Sequence, residues 1–247
     1  MQVLKSKDNP TIKKLLQLKT KKGRSKNKAF LVDGLRIVQH ALDHQMKVEA
    51  LVFTDRFLNQ HKDFLRALDH YKQYCIDVAT MGKIVDTQSP QGICAVVEPE
   101  EREMGQGWIL FLDQIQDPGN LGTLIRTADA AGFAGVILRE GCTDPYSQKV
   151  IRSSMGSIMS LPIWTNKSIE SLRDLGLPIY GAALEGGESY KALTYPDQGV
   201  LVIGNEANGI TPEVLDLCNQ RVYIPMAGHV ESLNASIAGG ILMFAVK

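Results

Sequence analysis

Cysteine is scarce and scattered. The chain has four, Cys75, Cys94, Cys142 and Cys218, and no two form a C-x-x-C pair. That excludes a disulfide framework or a zinc ribbon and fits a reducing compartment. Metal-ligand spacing is missing as well. His229 and Glu231 stand close together without the H-E-x-x-H pattern, so no metal is expected. No apolar run approaches the ~20 residues that span a bilayer; the longest is Ile237–Val246. The N-terminus is too polar for a signal peptide. Together these absences predict a cytoplasmic protein with no membrane partner. The common cofactor loops are also absent. There is no G-x-x-x-x-G-K-[ST], no G-x-G-x-x-G after a strand and no G-x-S-x-G elbow, which argues against a P-loop enzyme, a dinucleotide-binding Rossmann loop and a serine hydrolase.

What is present is ordinary in amount and uneven in placement. The 247 residues are 44% hydrophobic and 22% charged, with a formal net charge of zero, as in a soluble globular protein of one large or two modest domains. Residues 1–31 hold ten Lys/Arg against one Asp, while the remainder holds 17 against 26 acids. A basic arm on an acidic body points to a polyanionic partner, nucleic acid first.

Strand and helix signals alternate along the chain. "NPTIKKLLQL" has Asn9 as a cap, Pro10 in the first turn, and Ile12, Leu15 and Leu16 on one face, a helix start. "KKGRSKN" reads as a basic turn, "AFLVDG" as a strand and "LRIVQHALDH" as a helix. "VEALVFT" and "GICAVVE" read as further strands, with a single helix, "DRFLNQHKDFLRALDHY", between them. Then "PEEREMGQG" is charged and aperiodic. It sets the expected division: a first domain over 1–98, a linker over 99–107 and a second domain over 108–247. The second part opens on the continuous apolar run "WILFLDQI". It continues through "GVILRE", "LPIYGAAL", "GVLVIGNE" and "RVYIPM", separated by helical stretches that include "SQKVIRSSMGS". Runs of this kind suit strands buried on both faces, so the fold expected is α/β, a mostly parallel sheet with helices on both faces.

Ligands of open α/β sheets collect at the carboxyl ends of strands, and three strand ends here are conspicuous. "FLDQIQDPGNLGTLIRTADAAG" makes a turn and then a helix bearing Arg126 among apolar neighbours. "LVIGNEANGITPE" places Gly204 after a buried strand and the carboxylate of Glu206 just beyond it. "YIPMAGHVESLNAS" gathers Ser232, Asn234 and Ser236 at the mouth of a greasy helix. One N-cap accounts for only one or two of those residues. A ligand here is expected to be held by backbone groups from several loops, with a ring in an apolar slot.

In this order, "DPGNLGTLIRTADAAG", "VIGNEANGI" and "IPMAGHVESLNASIA" resemble the three motifs of the SpoU (TrmH) family of RNA ribose methyltransferases, in the SPOUT superfamily. The match covers 108–247, and residues 1–98 resemble the small ribosomal-protein-like α/β/α domain that often precedes it. The sequence departs from the family at Asp33, where Glu is commoner, at Ala235, where Val is commoner, and at Asn208, a small spacer elsewhere.

The resemblance implies S-adenosylmethionine-dependent methylation of a ribose 2′-hydroxyl, most simply in ribosomal RNA. Transfer RNA, or a non-catalytic RNA- or ribosome-binding role, stand as alternatives, and a small-molecule enzyme as a third. It also implies a C-terminal trefoil knot and a homodimer. By the family's pattern Gly204, Ile224 and Leu233 contact the adenosine part of the cofactor, and Met226 and Ala183 line its slot. Arg126 is either the base or the group that orients the RNA. A guanidinium, a poor base and a good phosphate fork, favours the second role. Asn120 and Glu206 would hold Arg126, and Ser232 and Asn234 would contact ribose or arginine. Lys13, Lys14, Lys19, Lys21, Lys22, Arg24, Lys26 and Lys28 offer a phosphate-tracking surface.

Overall fold

The computed structural model describes every residue except Lys7, Gln88 and Glu231. The chain divides into two compact units, one of Met1–Glu100 with Tyr146–Met159, the other of Glu101–Pro145 with Ser160–Lys247.

The first unit runs β1 (Gln2–Val3), α1 (Pro10–Gln17), α2 (Lys21–Asn27), β2 (Phe30–Asp33), α3 (Leu35–Asp43), β3 (Val48–Thr54), α4 (Asp55–Gln60), α5 (Lys62–Ala67), β4 (Lys72–Ile76), α6 (Val78–Ile84) and β5 (Ile93–Val97). Its sheet has the order β1-β4-β3-β5-β2. β1, β4 and β3 are parallel, and β5 runs antiparallel to both β3 and β2. Ile12, Leu15 and Leu18 pack with Leu31, Val52, Ile76 and Met81 in one core. The Asn9 side chain accepts from Thr11 N–H at 2.9 Å, with Pro10 opening α1.

Two expectations change here. "KKGRSKN" is the helix α2, not a turn. Thr20 caps it by accepting from Gly23 N–H at 3.0 Å, and Gly23 sits so close to α1 that a Cβ would overlap the Gln17 carbonyl. Glycine is there for close approach, not for chain reversal. The single helix expected over 55–71 is broken at His61 into α4 and α5.

The second unit opens with β6 (Trp108–Asp113), α7 (Pro118–Ala130) and β7 (Gly135–Arg139). α8 (Gln148–Ser153) and α9 (Ser157–Ser160) follow. The chain goes on through β8 (Ile163–Lys167), α10 (Glu170–Arg173), β9 (Ile179–Ala182), β10 (Glu188–Ser189), β11 (Gly199–Gly204), α11 (Pro212–Leu215), β12 (Gln220–Tyr223) and α12 (Ala235–Ala245). Residues 146–159, with α8, group with the first unit and not with the second, unlike the expected division. The Gln148 amide is their tie: it accepts from Asp86 N–H and donates to the Ile84 carbonyl.

The sheet of the second unit is parallel throughout, in the order β10-β12-β9-β11-β6-β7-β8. β6 and β11 are buried along their whole length, as strands covered on both faces must be. From β6 the chain builds outward through β7 and β8, then returns to the other side of β11. The three conspicuous segments leave the carboxyl ends of β6, β11 and β12, where such a reversal leaves room for a ligand.

Candidate active site and cofactor cleft

The first segment begins where β6 ends. The Asp117 side chain caps α7 by accepting from Asn120 N–H at 2.8 Å, and Pro118 starts the helix. α7 buries Leu121, Leu124, Ile125 and Ala128. Arg126 points the other way: it is exposed, with no hydrogen bond or ion pair to another described residue.

The second segment is a self-bonded hairpin. The Asn205 amide donates to the Gln114 carbonyl at 2.8 Å and accepts from Ala207 and Asn208 N–H. Asn205 and Gly209 exchange two backbone hydrogen bonds of 2.9 Å. Gly204 is explained by this closure, since a Cβ there would overlap the backbone of Gly209 and Ile210. The Glu206 carboxylate reaches across to the first segment, accepting from Asn120 Nδ2 at 3.0 Å and from Gln116 and Asp117 N–H at 3.3 Å each. Burial pushes its pKa up, but the hydrogen bonds from Asn120 and from backbone N–H groups outweigh burial and hold the carboxyl below its usual range. Asn120 and Glu206 therefore bond to each other, not to Arg126 as the family's pattern suggested.

The third segment joins the same chain of bonds. Asn234 caps α12, its Oδ1 accepting from Ser236 N–H at 2.9 Å and from Ser236 Oγ at 2.6 Å, while its Nδ2 donates to Asn120 Oδ1 at 2.9 Å. Each amide's orientation is fixed by the next. The helix N–H needs the Asn234 oxygen, so Asn234 offers its NH2 to Asn120. Asn120 must then present its oxygen to Asn234 and its NH2 to an ionised Glu206. Ser236 is absorbed in the cap. Ser232 has no part in it; it is exposed and lines the neighbouring cavity.

That cavity, about 160 Å³, lies where β9 and β12 end. Ala183, Ile224, Met226, Leu233 and Leu242 line it together with Ser232. Four of the five residues assigned to the cofactor thus converge. Gly204 is not among the lining residues. Its wall is mainly apolar.

Sequence reasoning missed a clamp beneath these loops. Asp113, fully buried at the end of β6, accepts from Arg139 Nη1 at 2.8 Å and from Thr211 N–H at 2.7 Å. Arg139 also donates to Thr211 Oγ1 at 2.7 Å and to Glu213 at 2.6 Å. Burial alone would lower the Arg139 pKa, but its bonds to Asp113 and Glu213 raise it. The clamp pins the C-terminal end of the Glu206 loop to β6 and β7. An Asp inside "WILFLD" and an Arg closing "GVILR" were the available signals.

The basic residues divide into three sets. Lys13 pairs with Asp8, Lys14 with Glu49 and Lys19 with Asp86. Arg24 is buried, its Nη1 donating to the Leu18 and Lys19 carbonyls, so it closes the end of α1 and is removed from the phosphate-binding set. Lys21, Lys22, Lys26 and Lys28 are exposed. Burial pushes the Cys75 thiol up to about 12, and the Cys142 and Cys218 thiols up to about 11, so none of these is a ready nucleophile. Among the described residues no group of His, Cys, Asp and Glu could hold a metal ion, and no helix is long and apolar enough to cross a membrane.

Comparison with known proteins agrees with this geometry. The model of the SpoU rRNA methylase family matches residues 107–244, and that of the MRM3-like substrate binding domain matches residues 9–95. The chain is 32% identical over 253 residues to the 23S rRNA (guanosine(2553)-2′-O)-methyltransferase RlmP of Bacillus subtilis (strain 168), with 100% of both chains covered. It is similar to the crystal structure of an AdoMet-bound rRNA methyltransferase from Sinorhizobium meliloti, with a TM-score of 0.87, 30% identity, and 99% of this chain and 97% of that one covered. The SpoU methyltransferase AviRb of Streptomyces viridochromogenes, in complex with AdoMet, gives a TM-score of 0.84 at 28% identity, covering 96% and 97%. With its family model spanning more than half of its length, the chain belongs to the SpoU rRNA methylase family.

Proposed function

We propose that this protein methylates a ribose 2′-hydroxyl of ribosomal RNA, using S-adenosylmethionine. The observation that carries the reading is the Glu206–Asn120–Asn234 chain of bonds, which ties all three motif loops together beside an apolar cleft and leaves Arg126 unengaged. Full-length likeness to a relative named for guanosine 2553 of 23S rRNA makes the equivalent nucleotide the first place to look.

When bound, the cofactor supplies an electrophilic methyl group on a sulfonium. Ile224, Met226, Leu233 and Ala183 hold its adenosine part. Gly204 keeps the neighbouring loop closed. The protein's task is then to bring a weak nucleophile into line. Arg126 grips the phosphate next to the target ribose and orients the hydroxyl; good positioning of two reactants lowers a barrier by roughly 7–11 kcal/mol. Ser232, at the cleft wall, and Asn234 face the ribose. The hydroxyl proton leaves as attack proceeds, and Arg126 stabilises the developing charge without being the acceptor.

The first domain, residues 1–98, supplies RNA affinity. Lys21, Lys22, Lys26 and Lys28 track phosphate, and Lys13, Lys14 and Lys19 add to the field from within their ion pairs. The working form is a cytoplasmic homodimer. Ile237, Ile241 and Phe244 are all exposed along one side of α12, and their spacing makes an apolar stripe suited to a second copy of the same helix. Return of α12 to α7 and β11 after β12 supports a trefoil-knotted crossing of the chain.

Mapping of 2′-O-methyl positions in total RNA, with and without the protein, tests the reading. One ribosomal ribose should lose its methyl when the protein is absent and regain it with wild type but not with Arg126→Ala. A lost methyl in transfer RNA, or none at all, overturns it.

A further inference from the structure

The first unit holds a cavity of about 450 Å³ that the methyl-transfer reading does not use. It opens at the carboxyl ends of the parallel strands β3 and β4, the end of a sheet where ligands gather. Its lining includes Arg56, Phe57, Gln60, His61, Val78 and Gln91. The Phe57 and His61 rings stack at 4.3 Å between centroids and 25° between planes. Val78, at the first turn of α6, is left 63% exposed. The described lining carries one cation, Arg56, and no carboxylate. Asp55 and Asp77 lie next to Arg56 and Val78 in sequence, but each is engaged: Asp55 accepts from Cys75 Sγ, and Asp77 caps α6 at Thr80. Gln91 accepts from Leu35 N–H through Oε1, which leaves its NH2 to donate.

We infer that this cavity seats one unpaired nucleotide of the RNA substrate; the inference rests on the RNA reading above. A base has two apolar faces and a polar edge. The His61 ring, backed by the buried Phe57, and the exposed Val78 suit the faces. Arg56, Gln60 and Gln91 suit the edge, because a guanidinium and two carboxamides supply both donors and acceptors. Single-stranded bases are read in this way, splayed onto aromatic or guanidinium planes and bonded along their edges. The volume is that of a small-ligand site. With one cation in the described lining and Asp55 next to it in sequence, the site favours the base over a free phosphate.

The test uses the full-length protein and 23S rRNA transcripts carrying 4-thiouridine, crosslinked by ultraviolet light without methyl donor, with the linked peptides mapped by mass spectrometry. A crosslink within residues 54–61 or 78–91 is expected. Arg56→Glu and Val78→Asp, both at exposed positions, should each cut it about tenfold, the order of one lost stacking or edge contact. The same variants should raise KM for RNA about tenfold, leaving kcat, S-adenosylmethionine affinity and Tm unchanged. Gln60→Ala should act in the same direction more weakly. Crosslinks confined to residues 21–28, or variants that bind RNA like wild type, overturn the inference. Wild type that crosslinks here but transfers no methyl sinks the methylation reading alone. Wild type that transfers methyl without this crosslink sinks the cavity alone.

Discussion

The two units treat their polar groups in opposite ways. In the second, the carboxylates and amides around the motif loops are saturated. Glu206, Asn120 and Asn234 satisfy one another in a fixed direction, and Asp113 and Arg139 lock the loop from below. In the first, Lys21, Lys22 and Lys26 on α2 and Lys28 just past it stand exposed, and the β3–β4 cavity is lined by donors with few partners. Methyl transfer needs atoms held to a fraction of an ångström. Holding a polyanion needs charge and little geometry. Arg126 combines the two: a bare cation mounted on the rigid side.

Breaking the rigid side should cost most. Arg126→Ala should lower turnover on the order of a thousandfold, the scale of losing a group that stabilises transition-state charge, while calorimetry shows S-adenosylmethionine binding as in wild type. Asp113→Ala should come next, since it takes the buried carboxylate from the Arg139 guanidinium, itself only 14% exposed, and leaves it Thr211 and the exposed Glu213. Removing one partner of a buried pair costs about 3–5 kcal/mol, read as a lower unfolding midpoint together with lost activity.

Glu206→Gln is a finer cut. A glutamine there turns one acceptor into a donor, set either against the N–H of Gln116 or against the donors of Asp117 and Asn120, so kcat should fall about tenfold with stability little changed. It also has a pH signature. A carboxylate held below its usual range keeps its bonds at neutral pH and loses them as pH falls through the lowered pKa. Wild-type activity should therefore carry an acid limb below the ordinary glutamate value of 4.5, and the variant should lack it.

Breaking the electrostatic side should be gentler. Changing Lys21, Lys22, Lys26 and Lys28 together to Gln should flatten the salt dependence of RNA binding by about three units of slope, at ~0.7 per phosphate contact, with kcat at saturating RNA unchanged. Lys14→Gln is the smallest. Its ammonium is held by Glu49 at 2.6 Å, so it should change that slope by less than one unit and stability by under ~1 kcal/mol.

The sequence was readable where local chemistry and tertiary structure agree. Asn9-Pro10 starts a helix because both residues suit its first turn, and the apolar runs of β6, β7 and β11 are strands because both faces are covered. The motif loops were readable from their unusual polar residues at strand ends. Agreement failed where packing overrode local signals. Gly23 among lysines suggests a turn until the neighbouring helix is seen to need its missing Cβ. "SQKVIRSSMGS" lies within the second domain's sequence but packs on the first, because Gln148 is bonded to Asp86 and Ile84, some sixty residues away. Arg24 lay in a basic run, and only the fold shows two carbonyls using its charge. The Asp113–Arg139 clamp joins the ends of two adjacent strands, and neither residue announces the other. β4, β8 and β10 also escaped notice, being half-exposed or short at sheet margins.

The central claim is that three strand-end loops converge on one methyl-donor cleft beside Arg126. A crystal structure with S-adenosylhomocysteine tests it most directly. The account predicts the ligand's adenosine against Ala183, Ile224, Met226 and Leu233, with the Glu206–Asn120–Asn234 bonds intact and Arg126 open to solvent at the sulfur end. Ligand density at any other place, or an Arg126 turned into a protein salt bridge away from that sulfur, would contradict it.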